Sequence, residues 1–319
     1  MLGLMQERPL LISDLSEHAA RHHGDVEIVS RRAEGDIHRT TYAQAAARAA
    51  TGAGARCHGA GTGRARGHVG VERRPPLRDV LRGQRLGARA AHDQPAVVAR
   101  SDCVLPVVPM FHVNAWGIPY SAAAVGCKLV FPGAQLDGKS VYELLVAERV
   151  TFAAGVPTVW QMLLTYMGAN GLKLPHLQRT VIGGSACPPA MIQAFRKQYG
   201  VEVLHAWGMT ELSPLGTLCT LKNKHLSLPE EEQMKIRLKQ GRAIFGIDMK
   251  IVDADGRELP CDGKTQGDLL VRVRCPRFFW TRIRGRKKKE LGMLSESKMG
   301  RVALGSAAEV ERWSAGRKM

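Results

Sequence analysis

Residues His205-Ala206-Trp207-Gly208-Met209-Thr210-Glu211-Leu212-Ser213-Pro214 bring an indole ring, a glycine, a hydroxyl and a carboxylate into one short stretch. Together these groups can hold an adenylate. The ring of Trp207 can stack on a purine, and Gly208 lets backbone approach a phosphate. Thr210 can donate to a phosphate oxygen, and Glu211 can bind a hard cation such as Mg²⁺. Two further segments carry the same kind of signal. Val181-Ile182-Gly183-Gly184-Ser185-Ala186-Cys187-Pro188 reads as an apolar strand that breaks at a glycine pair before a helix over 189–199. Upstream, Pro109-Met110-Phe111-His112-Val113-Asn114-Ala115-Trp116-Gly117 combines aromatic, imidazole and glycine residues. Each of these residues also has an ordinary role. Trp116, Trp160 and Trp207 can be core aromatics, His112 a packed and hydrogen-bonded histidine, and Thr210 and Glu211 helix-cap residues. The order and spacing of the set favour the chemical reading.

In that order and spacing the segments resemble the AMP-forming acyl-CoA synthetases, in particular the medium- and long-chain fatty-acid–CoA ligases. The resemblance continues through Val156-Pro157-Thr158-Val159-Trp160 and Gly267-Asp268-Leu269-Leu270-Val271-Arg272. It implies that ATP and a fatty carboxylate give an acyl-adenylate and pyrophosphate, after which the thiol of coenzyme A displaces AMP. It also implies nucleotide contacts at Gly184, Ser185, Ala186, His205, Ala206, Trp207, Gly208 and Thr210, and catalytic roles for Thr210 and Glu211. Glu211 is the implied Mg²⁺ ligand, and His112 and Trp116 fall on the acyl-substrate side, Trp116 as the aromatic gate of the acyl tunnel. His205-Ala206 departs from the Gln-Gly or Asn-Gly pair common at this place. A related adenylating ligase for another carboxylate is the alternative within the same chemistry.

The elements around these motifs predict an α/β fold. Short apolar runs at Lys128–Phe131, Phe152–Ala154, Thr180–Ile182 and Glu202–Leu204 alternate with helical patterns near 139–149, 157–168 and 189–199, as expected for a sheet with crossover helices. Asp248–Val252 and Asp268–Arg272 flank the turn-like Asp253–Arg257, and 219–241 reads as a solvated loop and helix. By resemblance this is an incomplete large N-terminal domain of an adenylate-forming enzyme, with the C-terminal domain and its catalytic lysine absent. The expected organisation is a family-like fragment at 1–50, a non-family basic segment at 51–100, the adenylate-forming core at 101–272 and a basic tail at 273–319. The Ser/Thr/Gly-rich loop ending in Pro-Lys-Gly, which in this family cradles the β- and γ-phosphates, should precede residue 101, and the sequence has no such run. The ribose-binding Thr-Gly-Asp expected after residue 272 is missing as well. The chain is therefore expected to be catalytically impaired.

The 319 residues carry a net charge of +17, a balance that by itself suggests a nucleic-acid or acidic-membrane partner. The location of the charge argues otherwise. Residues 51–100 carry +7 and 272–319 carry +10, which together account for the whole excess, and both segments fall where the family pattern breaks. A non-catalytic nucleic-acid-binding protein, the alternative from another class, would need a patterned basic face. The run Arg282 to Lys289 reads as a solvated tail, and Gly59-Ala60-Gly61-Thr62-Gly63 follows no apolar strand and lacks a P-loop lysine. A shifted reading frame would account for the first segment. His68–Glu72 can be encoded as cac gtt ggc gtg gaa, which one nucleotide on reads Thr-Leu-Ala-Trp. Ala90–Pro95 can be encoded so that the same offset reads Leu-His-Thr-Ile-Asn-Pro. Both products resemble family stretches, so 56–98 is expected to be an out-of-frame translation.

Seven cysteines, an odd number with no Cys-x-x-Cys, argue against a zinc site or disulfide framework and for a reducing compartment. The sequence shows no signal-peptide pattern and no apolar run of membrane-spanning length, so a cytoplasmic protein is expected, with small-molecule partners (fatty acid, ATP, coenzyme A) and no specific nucleic acid.

Overall fold

Periodic apolar residues and end signals set the local structure. In the helix Gly138–Ala147, Val141, Leu144 and Leu145 are buried at helical spacing, and the Asp137 carboxylate caps the helix by accepting the Ser140 amide at 3.0 Å. The helix Pro157–Ala169 starts on proline and buries Val159, Trp160, Leu163 and Met167. Pro189–Tyr199 also starts on proline and ends on Gly200 in the left-handed conformation, a stop that glycine supplies without steric cost.

A computed structural model describes residues 12–57, 98–209, 212, 214–262, 265–273, 279–283 and 310–314. In chain order the strands are β1 (Glu27–Arg31), β2 (Ile37–Thr41), β3 (Cys103–Val107), β4 (Lys128–Phe131), β5 (Phe152–Gly155), β6 (Arg179–Ile182), β7 (Glu202–Gly208), β8 (Leu215–Leu218) and β9 (Arg242–Ala243). They are followed by β10 (Ile247–Val252), β11 (Glu258–Leu259), β12 (Asp268–Val273), β13 (Phe279–Ile283) and β14 (Val310–Ser314). The longer helices are α1 (Ile12–His22), α2 (Tyr42–Cys57), α3 (Ile118–Val125), α4 (Gly138–Ala147), α5 (Pro157–Ala169), α6 (Pro189–Tyr199) and α7 (Glu230–Arg237).

The first nine strands form one sheet in the order β2-β1-β4-β3-β5-β6-β7-β8-β9, parallel from β1 through β7 and antiparallel at both ends. The crossovers between its parallel strands carry α3, α4, α5 and α6, the arrangement expected of buried parallel strands. The last five strands make a smaller antiparallel sheet, β11-β10-β12-β13-β14. The Asp253–Arg257 turn joins β10 to the short β11, while β12 pairs along the other edge of β10.

The buried apolar residues fall into separate clusters, one of which packs α4, α5 and α6 against the large sheet. Trp160 and Phe195 are fully enclosed there, with their rings edge to face at 5.9 Å and 88°. Two charge clusters tie the strands together at the opposite end of the sheet from the glycine turn. Buried Asp102 accepts from Thr151 at 2.7 Å, from the Ala99 amide at 2.7 Å and from Arg179 at 2.5 Å. Buried Glu148 accepts from Arg39 at 2.6 and 3.1 Å and pairs with Lys128 at 2.8 Å. The second cluster anchors β2, and with it the N-terminal segment, to the sheet. Tyr42 adds a hydrogen bond to the Cys127 carbonyl at 3.0 Å. Most of the two strongly basic segments, including 58–97 with its Gly59–Gly63 run and the Arg282–Lys289 run beyond Ile283, lies outside the described residues. Among the described residues no helix is long and apolar enough to cross a membrane.

Candidate functional site

Parallel strands present their C-terminal ends to one side of a sheet, where such folds bind ligands. At that side β5 ends on Gly155, β6 runs into Gly183-Gly184, and β7 ends on Gly208. The glycine pair is the centre of the arrangement. A Cβ on Gly183 would lie 3.0 Å from the Ala206 carbonyl oxygen and 3.5 Å from the Trp116 ring. On Gly184, at φ +81°, a Cβ would meet Val156 Cγ1 at 3.1 Å and the Trp116 ring at 3.7 Å. Three separate stretches of sequence, at Trp116, Val156 and Ala206, thus converge on one turn, where a Cβ on either glycine would be crowded and Gly184 has the left-handed conformation that favours glycine. Gly184 and Ser185 are exposed and Ala186 half-buried, so the turn offers its backbone to solvent.

Trp116 reaches the turn from an unusual element. Val113, Asn114, Ala115 and Trp116 have φ of 49°, 52°, 51° and 55°, a one-turn left-handed helix closed by Gly117 at 74°. The Gly117 amide donates to the carbonyls of Val113 and Asn114 at 3.2 and 3.0 Å. For L-residues this hand costs roughly 1–2 kcal/mol each. Such strain persists only where the surroundings impose it, and Ala115 is fully buried. Right-handed geometry would turn the Trp116 side chain away from its present direction. His112, just before the turn, is exposed, as are Met110 and Phe111.

Trp207 is 7% exposed and packs over Gly216, where a Cβ would come within 2.6 Å of the ring. Leu212, Ile247 and Val271 complete its surroundings, so the indole wedges between the two sheets, with its N–H buried and without a hydrogen-bond partner among the described residues. Ala206 is buried and offers its carbonyl to the glycine turn, and Gly208 is half-buried at a register shift in the β7–β8 pairing. His205 is 1% exposed, and its Nε2 accepts the Cys187 amide at 3.2 Å. An amide can only donate, so the ring proton sits on Nδ1. The Gln240 side-chain nitrogen lies 3.1 Å from the same Nε2. Burial lowers the His205 pKa from 6.5 to about 4, against a smaller opposing pull from the carbonyls of Lys239 and Leu238. His205 is therefore neutral across the physiological range.

Thr210 and Glu211 lie outside the described residues, between Met209 and Leu212. Among the described residues no group of three histidine, cysteine or acidic side chains could hold a metal ion. The sequence motifs gave no hint of the left-handed turn or of the His205–Gln240 contact. Asn114 and Gly117, residue types that tolerate positive φ, were the available signal for the first. Buried Cys187 and Cys219 are held as neutral thiols, burial raising them to about 12 and about 11 respectively.

The site is thus a glycine turn at the C-terminal edge of a parallel sheet in an α/β fold, flanked by an indole and an exposed backbone loop. The family profile of AMP-binding enzymes matches residues 83–275, and the chain belongs to that family. The chain is 57% identical over 171 residues to 3-methylmercaptopropionyl-CoA ligase of Ruegeria lacuscaerulensis, a match covering 54% of this chain and 32% of the relative. It is 55% identical over 171 residues to medium-chain-fatty-acid–CoA ligase of Ectopseudomonas oleovorans, covering 54% and 31%. Against long-chain-fatty-acid–CoA ligase of Thermus thermophilus it is 45% identical over 175 residues, covering 55% and 32%. The matched stretch is thus about a third of each of these relatives. Among solved structures, a benzoate CoA ligase from Burkholderia xenovorans aligns at TM-score 0.51 and 19% identity, over 60% of this chain and 37% of that one. A long-chain-fatty-acid–CoA ligase from Archaeoglobus fulgidus aligns at TM-score 0.50 and 20% identity, over 61% and 38%. These two likenesses carry the fold, the mixed α/β architecture of adenylate-forming ligases.

Proposed function

We propose that this chain is the adenylate-holding part of an acyl-CoA ligase, binding the adenosine of AMP or of an acyl-adenylate at the Gly183–Ala186 turn. The observation that carries the reading is the cradle at Gly184. Its backbone is exposed, a Cβ there would be both strained and crowded, and the Trp116 ring lines one side. Backbone amides and carbonyls of Gly184, Ser185 and Ala186 would meet the polar edges of the base, while Trp207 forms the apolar floor that keeps β7 and β8 in place below it. His205, enclosed and already hydrogen-bonded, contributes from within. By family, ATP and coenzyme A enter as co-substrates and Mg²⁺ as the bound cation. Thr210 would meet a phosphate oxygen, and Glu211 would hold Mg²⁺, which neutralises charge on the phosphates when bound.

The carboxylate would enter beside Trp116 and His112. Relatives named for 3-methylmercaptopropionate and for medium-chain fatty acids match this chain at nearly the same identity, so a medium-sized aliphatic carboxylate fits both. We further propose that adenylation by this polypeptide is impaired, because no Ser/Thr/Gly-rich run ending in Pro-Lys-Gly precedes β3. Each preorganised electrostatic contact is worth about 2.7–4 kcal/mol in a transition state, so losing the phosphate cradle costs at least about 10²–10³ in rate. ATP–pyrophosphate exchange with octanoate and with 3-methylmercaptopropionate tests this, with a signal close to background expected. Robust exchange that disappears in Glu211→Ala would refute the impairment while supporting the family chemistry.

A further inference from the structure

The nucleotide loop has to be held in shape, and the structure indicates what holds it. After β6 the chain turns at Gly183-Gly184 and enters α6 at Pro189, with two prolines, Pro188 and Pro189, that have no amide to donate. The Cys187 amide is the last donor before them and is buried with its residue. It donates to His205 Nε2, across the parallel pairing that sets Ile182 beside His205. The same His205 connects the loop to two other segments. Its carbonyl accepts the Cys219 amide at 2.8 Å, just beyond β8, and its Nε2 faces the Gln240 side chain at 3.1 Å. The Gln240 carbonyl in turn accepts the Thr217 hydroxyl at 2.7 Å, within β8. His205, Thr217 and Gln240 are all at least nine-tenths buried. A fully enclosed imidazole of this kind cannot reach a nucleotide, but it fixes where the loop's exposed residues stand.

We propose that His205 is a positioning residue for the adenylate site, a latch whose Nε2 holds the Cys187 amide and thereby sets the backbone of Gly184, Ser185 and Ala186. This rests on the reading of that turn as the nucleotide site. The latch requires an acceptor at the Nε2 position, four bonds out from Cα, and not a histidine as such. The amide oxygen of glutamine reaches that position, while that of asparagine ends one bond earlier. Both residues are uncharged amides, so they differ in reach more than in polarity.

The test compares the full-length chain with His205→Gln and His205→Asn, reading amide hydrogen exchange at Cys187 and AMP affinity by calorimetry. The net worth of one hydrogen bond sets the scale of the effect. His205→Asn should speed Cys187 exchange by about tenfold and weaken AMP by about three- to tenfold, and His205→Gln should restore both to near wild type. Cys187 protection unchanged in His205→Asn overturns the latch, as does lost protection with AMP affinity unaltered. If the wild-type chain shows no affinity for AMP, the reading of the turn as a nucleotide site fails. The latch itself is then decided by exchange alone, sustained by loss in the asparagine variant and recovery in the glutamine variant. Should a variant not fold, the wild-type chain still decides: the Cys187 amide must exchange at least about tenfold more slowly than the Gly184 and Ser185 amides, and equal rates overturn the proposal.

Discussion

Acidifying the protein should weaken it through His205 before Glu148 titrates. Unfolded, this imidazole takes up a proton near its ordinary value of 6.5, whereas in the fold it does so only at about 4. Between those values the unfolded chain binds one proton more than the folded chain, so stability falls as pH falls. The contribution is complete above pH 6.5, declines through the interval and is lost below pH 4. At 1.36 kcal/mol per decade the limit is ~3 kcal/mol, of which about 2 kcal/mol disappears between pH 7 and pH 5. The site is 1% exposed, so solvent screening does not reduce the figure. Urea unfolding of the wild type and of His205→Gln at pH 7 and pH 5 measures it, because glutamine keeps the acceptor and removes the titration. The wild type should lose about 2 kcal/mol more than the variant. Equal losses in the two proteins would refute the buried, neutral assignment.

Glu148 should act in a lower window. Its carboxyl is held below its ordinary value by the hydrogen bonds of Arg39 and Lys128, which outweigh its burial, so its contribution is present above pH 4.5 and is lost as pH falls further. Glu148→Ala at pH 7 should cost about 2 kcal/mol in a urea melt, less than a fully buried pair because both cations are partly exposed. Gly126→Ala should cost about 2–4 kcal/mol, since it combines a positive φ with overpacking. A Cβ there would lie 2.2 Å from the His23 ring, and Gly126 has φ +80°. An unchanged thermal midpoint would mean that α1 does not pack on the turn after α3.

The parallel strands were legible because their burial needs continuous apolar runs, and β4 occupies Lys128–Phe131 as its pattern predicts. The helices α4, α5 and α6 begin within a residue of their expected starts, where proline or an aspartate cap marks the boundary. β3 is harder to recognise in the sequence, although all five of its residues are buried, because Pro106 within it signals a break. That proline sits between β4 and β5 all the same, with Pro106 opposite Ala154. The turn at Asp253–Arg257 is legible in the sequence, but it leads into β11, since a strand pattern says nothing about which edge of β10 is taken. In the site, the glycine pair announced a turn, whereas the hand of Val113–Trp116 is imposed by tertiary packing. His205 and Gln240 lie 35 residues apart and meet only through the sheet. The sequence therefore marks His205 as part of a motif without revealing that its side chain points inward.

Titrating the chain with AMP in a calorimeter, and repeating the titration with Gly184→Val, decides whether the Gly183–Ala186 turn holds an adenylate. The substitution places a branched side chain at φ +81° and 3.1 Å from Val156, on an exposed residue whose replacement spares the core. Saturable binding to the wild type that falls at least about tenfold in the variant, roughly 1.4 kcal/mol, is the predicted result. No saturable binding to the wild type, or the same affinity in both proteins, would contradict it.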